Sequence, residues 1–307
     1  MSQPRSIVSG ATYLLTRRTL RRHLLLRPDA AITQLIVYAL AVSANRYGLQ
    51  VHAICAMSTH IHLVVTDSKG VLPRFLHHFH RLIALGTKIL RSWEGPIWDH
   101  EPTSVVRLLT RASIVEKIAY TLANPVAAGL VRFAHEWPGA KVLVADIGRA
   151  DLRAKRPDVY FDPFNKAWPE VATILLTCPP EIKEEDTEEF CRTVAVELER
   201  QEKAARAEVQ RRGIPFLGAS RAVKVAPHGR ASRFETFRDI NPTFAVGHGN
   251  KDALHRGAAA VRGFRSAYRN ALKQWCAGVR SVVFPEGTWW MHVLHAVNVA
   301  CATATAW

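Results

Sequence analysis

Residues 49–66 read LQVHAICAMSTHIHLVVT, and this stretch decides the fold. Leu49 to Met57 and His60 to Thr66 are short runs rich in Val, Ile and Leu. Only Ser58 and Thr59 separate them, so the two runs are expected to pair as an antiparallel hairpin. Upstream, Pro28-Asp29 opens an apolar-periodic run from Ala30 to about Tyr47 that stops at Gly48, the pattern of a helix closed by a C-terminal glycine. Before it, Ala11 to Thr16 is β-branched, aromatic and apolar, and reads as a strand. Downstream, Gly70 precedes Leu72, Phe75, Leu76, Phe79, Leu82, Ile83 and Leu90, whose spacing follows one helical face. Ser104 to Leu109 reads as a further strand. Ser113 is expected to cap a helix, with Glu116 three residues on completing a capping box and Pro125 ending the helix near Asn124. The order β-α-β-β-α-β-α predicts an α+β fold. It is a ferredoxin- or RRM-like, mostly antiparallel sheet with helices packed on one face, followed by a basic, partly helical C-terminal extension.

The chain has 307 residues, 48% of them hydrophobic, enough for a sizeable core in one large domain or two ordinary ones. Its 41 Lys and Arg against 26 Asp and Glu give a net charge of +15, which points to a polyanionic partner and first to nucleic acid. The charge is blocked: residues 1–150 carry +10, residues 151–202 carry −6 and residues 203–280 carry +12. The expected division is therefore a first unit at 1–145, an acidic connecting region at 146–202, and a basic C-terminal extension at 203–307. The acidic block reads as a solvated helix face turned away from nucleic acid or covering the basic surface. Five cysteines without a Cys-x-x-Cys pair argue against a disulfide framework and a cysteine zinc site, and fit a reducing cytoplasm. No segment reads as a signal peptide or a membrane span.

Chemistry concentrates in two places. In His60-Ile61-His62 the two histidines project to the same face of their strand, where they either share one cation or form a hydrogen-bonded surface pair. In the last helix Tyr120 and Asn124 are four apart and share a face. Tyrosine becomes a competent nucleophile when a cation polarises a phosphate beside it; the alternative is a buried tyrosine with Asn124 as a C-cap.

The segments MSTHIHLVVTD (57–67), LPRFLHHFHRLIA (72–84) and YTLANPVAAGLV (120–131), preceded by GATYLLTRR (10–18), resemble the single-tyrosine HUH transposases. The likeness is in particular to the REP-associated tyrosine transposase-like proteins of bacteria. It covers roughly residues 8–140, and FRSAYRNALKQWCAGVRSVVFPEGTWWM (264–291) extends it to longer members. The resemblance implies an HUH endonuclease fold with His60 and His62 as metal ligands, Asn124 as a third metal-binding group and Tyr120 as the nucleophile. It also implies Mg2+ or Mn2+, a single-stranded or hairpin DNA partner, no membrane, a bacterial cytoplasmic setting and a monomer or homodimer. The implied activity is DNA cleavage and rejoining through a 5′-phosphotyrosine. Ser58-Thr59 departs from the Pro-Asn found in many members before the first histidine. A non-catalytic nucleic-acid binder is the competing reading. A metal-dependent hydrolase is disfavoured, since no carboxylate is placed beside His-x-His to complete a hard-metal site.

Other residues are expected in supporting roles. Glu116 and His52 are candidates for orienting the site from behind its ligands. Arg17, Arg18, Arg21 and Arg22, with His77 and Arg81 on one face of the second helix, are candidates for DNA contact. Trp93 and Trp98 either stack on an unpaired base or pair beneath their loop. Between Lys203 and Arg280, Phe216, Phe234, Phe237, Phe264 and Tyr268 interleave with arginines, as in a surface that stacks bases, and this arm is expected to order on DNA. Every residue assigned to the site precedes Pro125, so the region from Lys203 onward is expected to be accessory to the chemistry.

Overall fold

A computed structural model describes residues 4–231 and 242–300. Its first half contains β1 (Ala11–Arg18), α1 (Ala30–Tyr47), β2 (Leu49–Ala56), β3 (His60–Asp67), α2 (Leu72–Arg91), β4 (Ser104–Leu108) and α3 (Arg111–Ala127). The four strands pair antiparallel in the order β2-β3-β1-β4, the ferredoxin-like arrangement that the element order predicts. Local chemistry sets the junctions. The Asp29 carboxylate accepts from the Ile32 N–H and starts α1, and Gly48 takes the left-handed conformation (φ 71°) that stops it. After β3, the fully buried Asp67 carboxylate accepts from the N–H groups of Val71 (3.0 Å) and Leu72 (2.7 Å), pinning the turn into α2.

Two expectations about α3 are corrected. Its cap is Thr110, not Ser113: the Thr110 hydroxyl accepts from the Ser113 N–H, and the Ser113 side chain returns a bond to Thr110. Glu116 therefore lies beyond the first turn, with its carboxylate on Lys117 instead of the cap. The helix also continues through Pro125 to Ala127. Pro125 lies in the last turn, where the missing N–H costs one bond, and the turn closes through Ala128 N–H to Asn124 O (2.9 Å).

Helices cover both faces of the sheet, where one face was expected. Arg17, on the face opposite His60 and His62, lies over Trp98, whose indole donates to the His80 carbonyl of α2. Helix α3 lies on the histidine face, because Asn124 reaches His60. A hairpin of β5 (Asp151–Lys155) and β6 (Val171–Leu175) packs on α1, held by Tyr38 Oη to the Pro169 carbonyl (2.7 Å) and Asn45 to the Thr173 carbonyl (2.8 Å). Helix α4 (Thr187–Arg211) runs along α3 and buries Phe190, Cys191 and Val194. These residues, with Ile147, Phe161 and Ile174, join the buried cluster of the sheet, so the stretch read as an acidic connection contributes to the core.

The following arm is attached to the core. Leu217 and Gly218 donate to the carbonyls of Gly129 and Leu130 beyond α3. The short α5 (Ala219–Ala222) buries Ala222 with Cys55, Met57, Val126 and Trp137. Farther on, Leu24 donates to the Gly229 carbonyl (2.8 Å) and Ala231 to the Arg22 carbonyl (3.1 Å). Phe234 and Phe237 lie outside the described residues. Strand β7 (Phe244–Ala245) then adds parallel to the free edge of β4. Helix α6 (Lys251–Cys276) leads to β8 (Val283–Phe284), α7 (Trp290–His295) and β9 (Asn298–Val299), where Phe284, Met291 and Val297 bury Ala271 of α6. No helix among the described residues is long and apolar enough to cross a membrane.

This packing makes the C-terminal half part of the fold. A chain ending before Lys203 loses the second half of α4 with buried Val209, and the whole arm with buried Ala222. At roughly 1.5 kcal/mol or more for a fully buried aliphatic side chain, such a fragment is expected to lose several kcal/mol. Urea unfolding of the fragment against the full chain measures this, and equal midpoints would refute it.

Candidate active site

The site forms where the N-terminal end of β3 meets the last two turns of α3. In the β1–β3 register His62 stands opposite Thr16 and His60 opposite Arg18, so both histidines share one face with these residues. The imidazole rings are 4.7 Å apart and nearly perpendicular, and the Tyr120 ring meets His62 edge-on at 5.3 Å. Asn124 completes the group, its Oδ1 3.1 Å from His60 Nε2. His62 and Asn124 are buried, whereas Tyr120 is 41% exposed. The phenol therefore stands at the mouth of the group with the other polar groups behind it.

Each histidine engages a threonine hydroxyl through Nδ1: Thr59 Oγ1 at 3.0 Å from His60, and Thr16 Oγ1 at 2.9 Å from His62. These contacts fix the ring orientations and leave Nε2 as the second nitrogen of each ring. Burial, helped by His60 and Arg18 nearby, holds His62 well below the ordinary histidine pKa, so its ring is neutral at pH 7. Lys117, one turn before Tyr120, places Nζ 5.7 Å from the centre of the phenol ring and pairs with Glu116 at 2.7 Å. Sequence reasoning missed Thr16, Thr59 and Lys117. The three-residue spacing of Lys117 and Tyr120 was available as a signal, but Thr16 enters only through cross-strand register.

The other expected residues divide. Arg18 borders the histidines, while Arg17 turns to the opposite face and donates to the carbonyls of Asp99 and Glu101. Arg21 and Arg22 both adopt left-handed backbone (φ 46° and 57°) in the link after β1, a sparsely populated conformation for residues other than glycine. The Arg21 N–H donates to Asp99. His77 and Arg81 are exposed on α2, across the sheet from His60. Glu116 is one turn before Tyr120 and occupied by Lys117. Trp93 and Trp98 have separate partners: Trp93 lies between His23 and His228, and Trp98 beside His80. His52 does not join the site. It occupies the bulge of β2, with Nε2 2.8 Å from Thr66 Oγ1 and Nδ1 2.8 Å from the Thr177 carbonyl, and Thr66 is four residues beyond His62 along β3.

Among the described residues no three His, Cys, Asp or Glu side chains cluster as a metal site. The available donor set is two imidazoles and one amide oxygen. His60 Nε2 lies 3.1 Å from Asn124 Oδ1, with the ring N–H donating to the amide oxygen, so the two atoms that would hold a cation are already side by side. The donor set fits a weakly held divalent cation.

Among solved structures, the chain is similar to a REP-associated tyrosine transposase bound to a REP hairpin. The identity is 17% over 55% of this chain and 97% of that one, with a TM-score of 0.41. It is also similar to a candidate transposase from Deinococcus radiodurans R1, at 22% identity over 31% of this chain and 76% of that one, with a TM-score of 0.27. No family model and no curated protein matches the sequence.

His52 gives a prediction on stability. Complete burial lowers its pKa from 6.5 to about 4. As pH falls below about 6.5 the unfolded chain takes up the proton while the folded chain refuses it, so stability present at neutral pH is lost down to about pH 4. The loss is on the order of 3 kcal/mol. In urea unfolding, His52→Asn is expected to be less stable than the wild type near pH 7.5 and to lose less between there and about pH 4.5. Equal acid losses in the two proteins would exclude His52 as a source.

Proposed function

We propose that this chain is a single-tyrosine DNA strand-cleaving and rejoining enzyme of the HUH transposase type, acting on single-stranded or hairpin DNA. The observation that carries the reading is the convergence of four residues from two distant segments. His60 and His62 of the hairpin meet Tyr120 and Asn124 of α3 with the phenol exposed and the imidazoles behind it. Two of the three separated motifs that carry the family resemblance, 57–67 and 120–131, meet here, while 72–84 forms part of α2 on the other face of the sheet.

In this reading the Tyr120 oxygen attacks a DNA phosphorus in line. A phosphotyrosyl bond forms at the 5′ side, the bond to the 3′ oxygen breaks, and the phenol proton passes to solvent while the departing oxygen takes one up. One ester replaces another, so rejoining by reversal needs no outside energy source. His60, His62 and Asn124 would hold Mg2+ or Mn2+, which when bound stabilises negative charge on the phosphate oxygens. Thr16 and Thr59 keep the two imidazoles oriented, and Arg18 supplies positive charge at the edge of the site for the strand. Residues 1–145 carry the chemistry, 146–202 buttress α1 and α3, and 203–307 form a basic DNA-binding extension. The same resemblance supports a bacterial cytoplasmic setting.

Two predictions test the reading by incubating the protein with single-stranded DNA from the flanks of its own gene and resolving covalent adducts on a denaturing gel. Tyr120→Phe removes one hydroxyl and no charge, so it is expected to abolish the adduct while binding changes less than about twofold. An equal adduct yield would exclude Tyr120 as nucleophile. His60→Ala and His62→Ala are each expected to lower the metal-dependent yield at least about tenfold, with partial recovery in excess manganese. An adduct that persists undiminished in chelator would remove the metal from the reading.

A further inference from the structure

Two long helices of the C-terminal half carry many arginines, and they dispose of the charge differently. In α4 six carboxylates face five cations, and three of the cations pair on the helix itself: Arg200 with Glu197, Arg206 with Glu202 and Arg211 with Glu208, which also takes Arg212 just beyond the helix. Helix α6 has six cations, Lys251, Arg256, Arg262, Arg265, Arg269 and Lys273, and one carboxylate, Asp252. None of the six forms an ion pair with a carboxylate among the described residues. Lys251, His255, Arg262, Arg269 and Lys273 follow one another at spacings of four and seven, so they form a single row, and all five are exposed. At 1.5 Å per residue the row is about 33 Å long.

The opposite face of α6 is already occupied. Phe264, Tyr268 and Trp275 turn inward: the Tyr268 ring lies 5.5 Å from fully buried Phe284, and Trp275 packs in the same cluster and beneath the Arg280 guanidinium at 4.2 Å. Of the aromatics expected to stack on bases, Tyr268 is therefore committed to packing, and Phe264 lies beside it at 6.2 Å. A surface for unpaired strands combines cations with exposed rings, whereas this one offers cations alone on a rigid support. An amphipathic helix lying on a membrane would present its apolar face, and that face is covered here.

We infer that the exposed row of α6 is a docking surface for the phosphate backbone of duplex DNA, the paired stem of a hairpin. The row is about as long as the roughly 34 Å turn of the double helix, and its exposed cations stand on one straight helix from which they can reach phosphates along one side of a stem. The inference rests on the reading of the chain as a DNA enzyme and divides the labour within it. The unpaired strand goes to Tyr120, and the stem to α6.

The test uses the full chain and fluorescence anisotropy across about 50–200 mM salt, with two probes of equal nucleotide number: a blunt DNA hairpin without single-stranded flanks, and oligo-thymidine. The combined Arg262→Gln, Arg269→Gln and Lys273→Gln variant changes exposed side chains only, and circular dichroism checks its helix content. On the hairpin, the slope of log affinity against log salt is expected to fall by about three, near 0.9 per cation removed, with a change below about one on oligo-thymidine. Arg262→Lys with Arg269→Lys is expected to keep the wild-type slope. An unchanged hairpin slope, or equal losses on both probes, would overturn the inference. So would an unchanged hairpin slope accompanied by loss of binding to phosphatidylserine vesicles. The measurement does not involve adduct formation, so failure of strand cleavage and failure of stem docking are read separately.

Discussion

The site depends on the register between β1 and β3. Side chains alternate across a strand, so the pairing of Thr16 with His62 and Arg18 with His60 puts two imidazoles, a hydroxyl and a guanidinium on one face. It sends Ile61, Leu63 and Val65 to the other, where they are buried. A slip of one residue would drive both histidines into that apolar layer, and the cost of burying them there is what enforces the register. The same alternation sends Arg17 and Arg18 to opposite fates, one supporting a loop and the other bordering the site.

Histidines on this sheet show how hydrogen bonding separates a structural ring from a chemically available one. His52 has both nitrogens engaged, by Thr66 and the Thr177 carbonyl, and is fully buried. It is a satisfied core group. His60 and His62 each engage a threonine through Nδ1, and Nε2 of His60 meets the amide oxygen of Asn124. Hydroxyl partners of this kind orient a ring without giving it charge, as the proposed role of the two imidazoles requires.

The tyrosine helix is positioned by what packs upon it. Helix α3 lies on the sheet face opposite α2, and α4 lies against it, with Gln201 reaching the Glu116 carbonyl (3.2 Å) one turn before Tyr120. The arm then ties the end of α3 to the segment after β1, whose Thr19 hydroxyl donates to the Thr59 carbonyl beside His60. Through these contacts residues far from the site in sequence hold its two halves together. Along α4, Glu197, Glu202 and Glu208 are each paired with an arginine of the same helix.

The sequence by itself determined the element order, and with it the ferredoxin-like sheet, because hydrophobic period and junction residues such as Asp29 and Gly48 act over a few positions. It also determined that His60 with His62, and Tyr120 with Asn124, share faces, since those pairings follow from strand and helix periodicity alone. The tertiary structure alone decided that the two pairs meet and that Thr16 and Thr59 orient the rings. It separated His52 from the site and turned the α6 aromatics inward. Each of these rests on contacts between segments far apart in the chain, where pairing register and packing, not local spacing, choose the neighbour. The cap of α3 is a local case that was misread. Thr110 and Ser113 both had the chemistry for it, and the mutual bond between them put the helix start before Ser113.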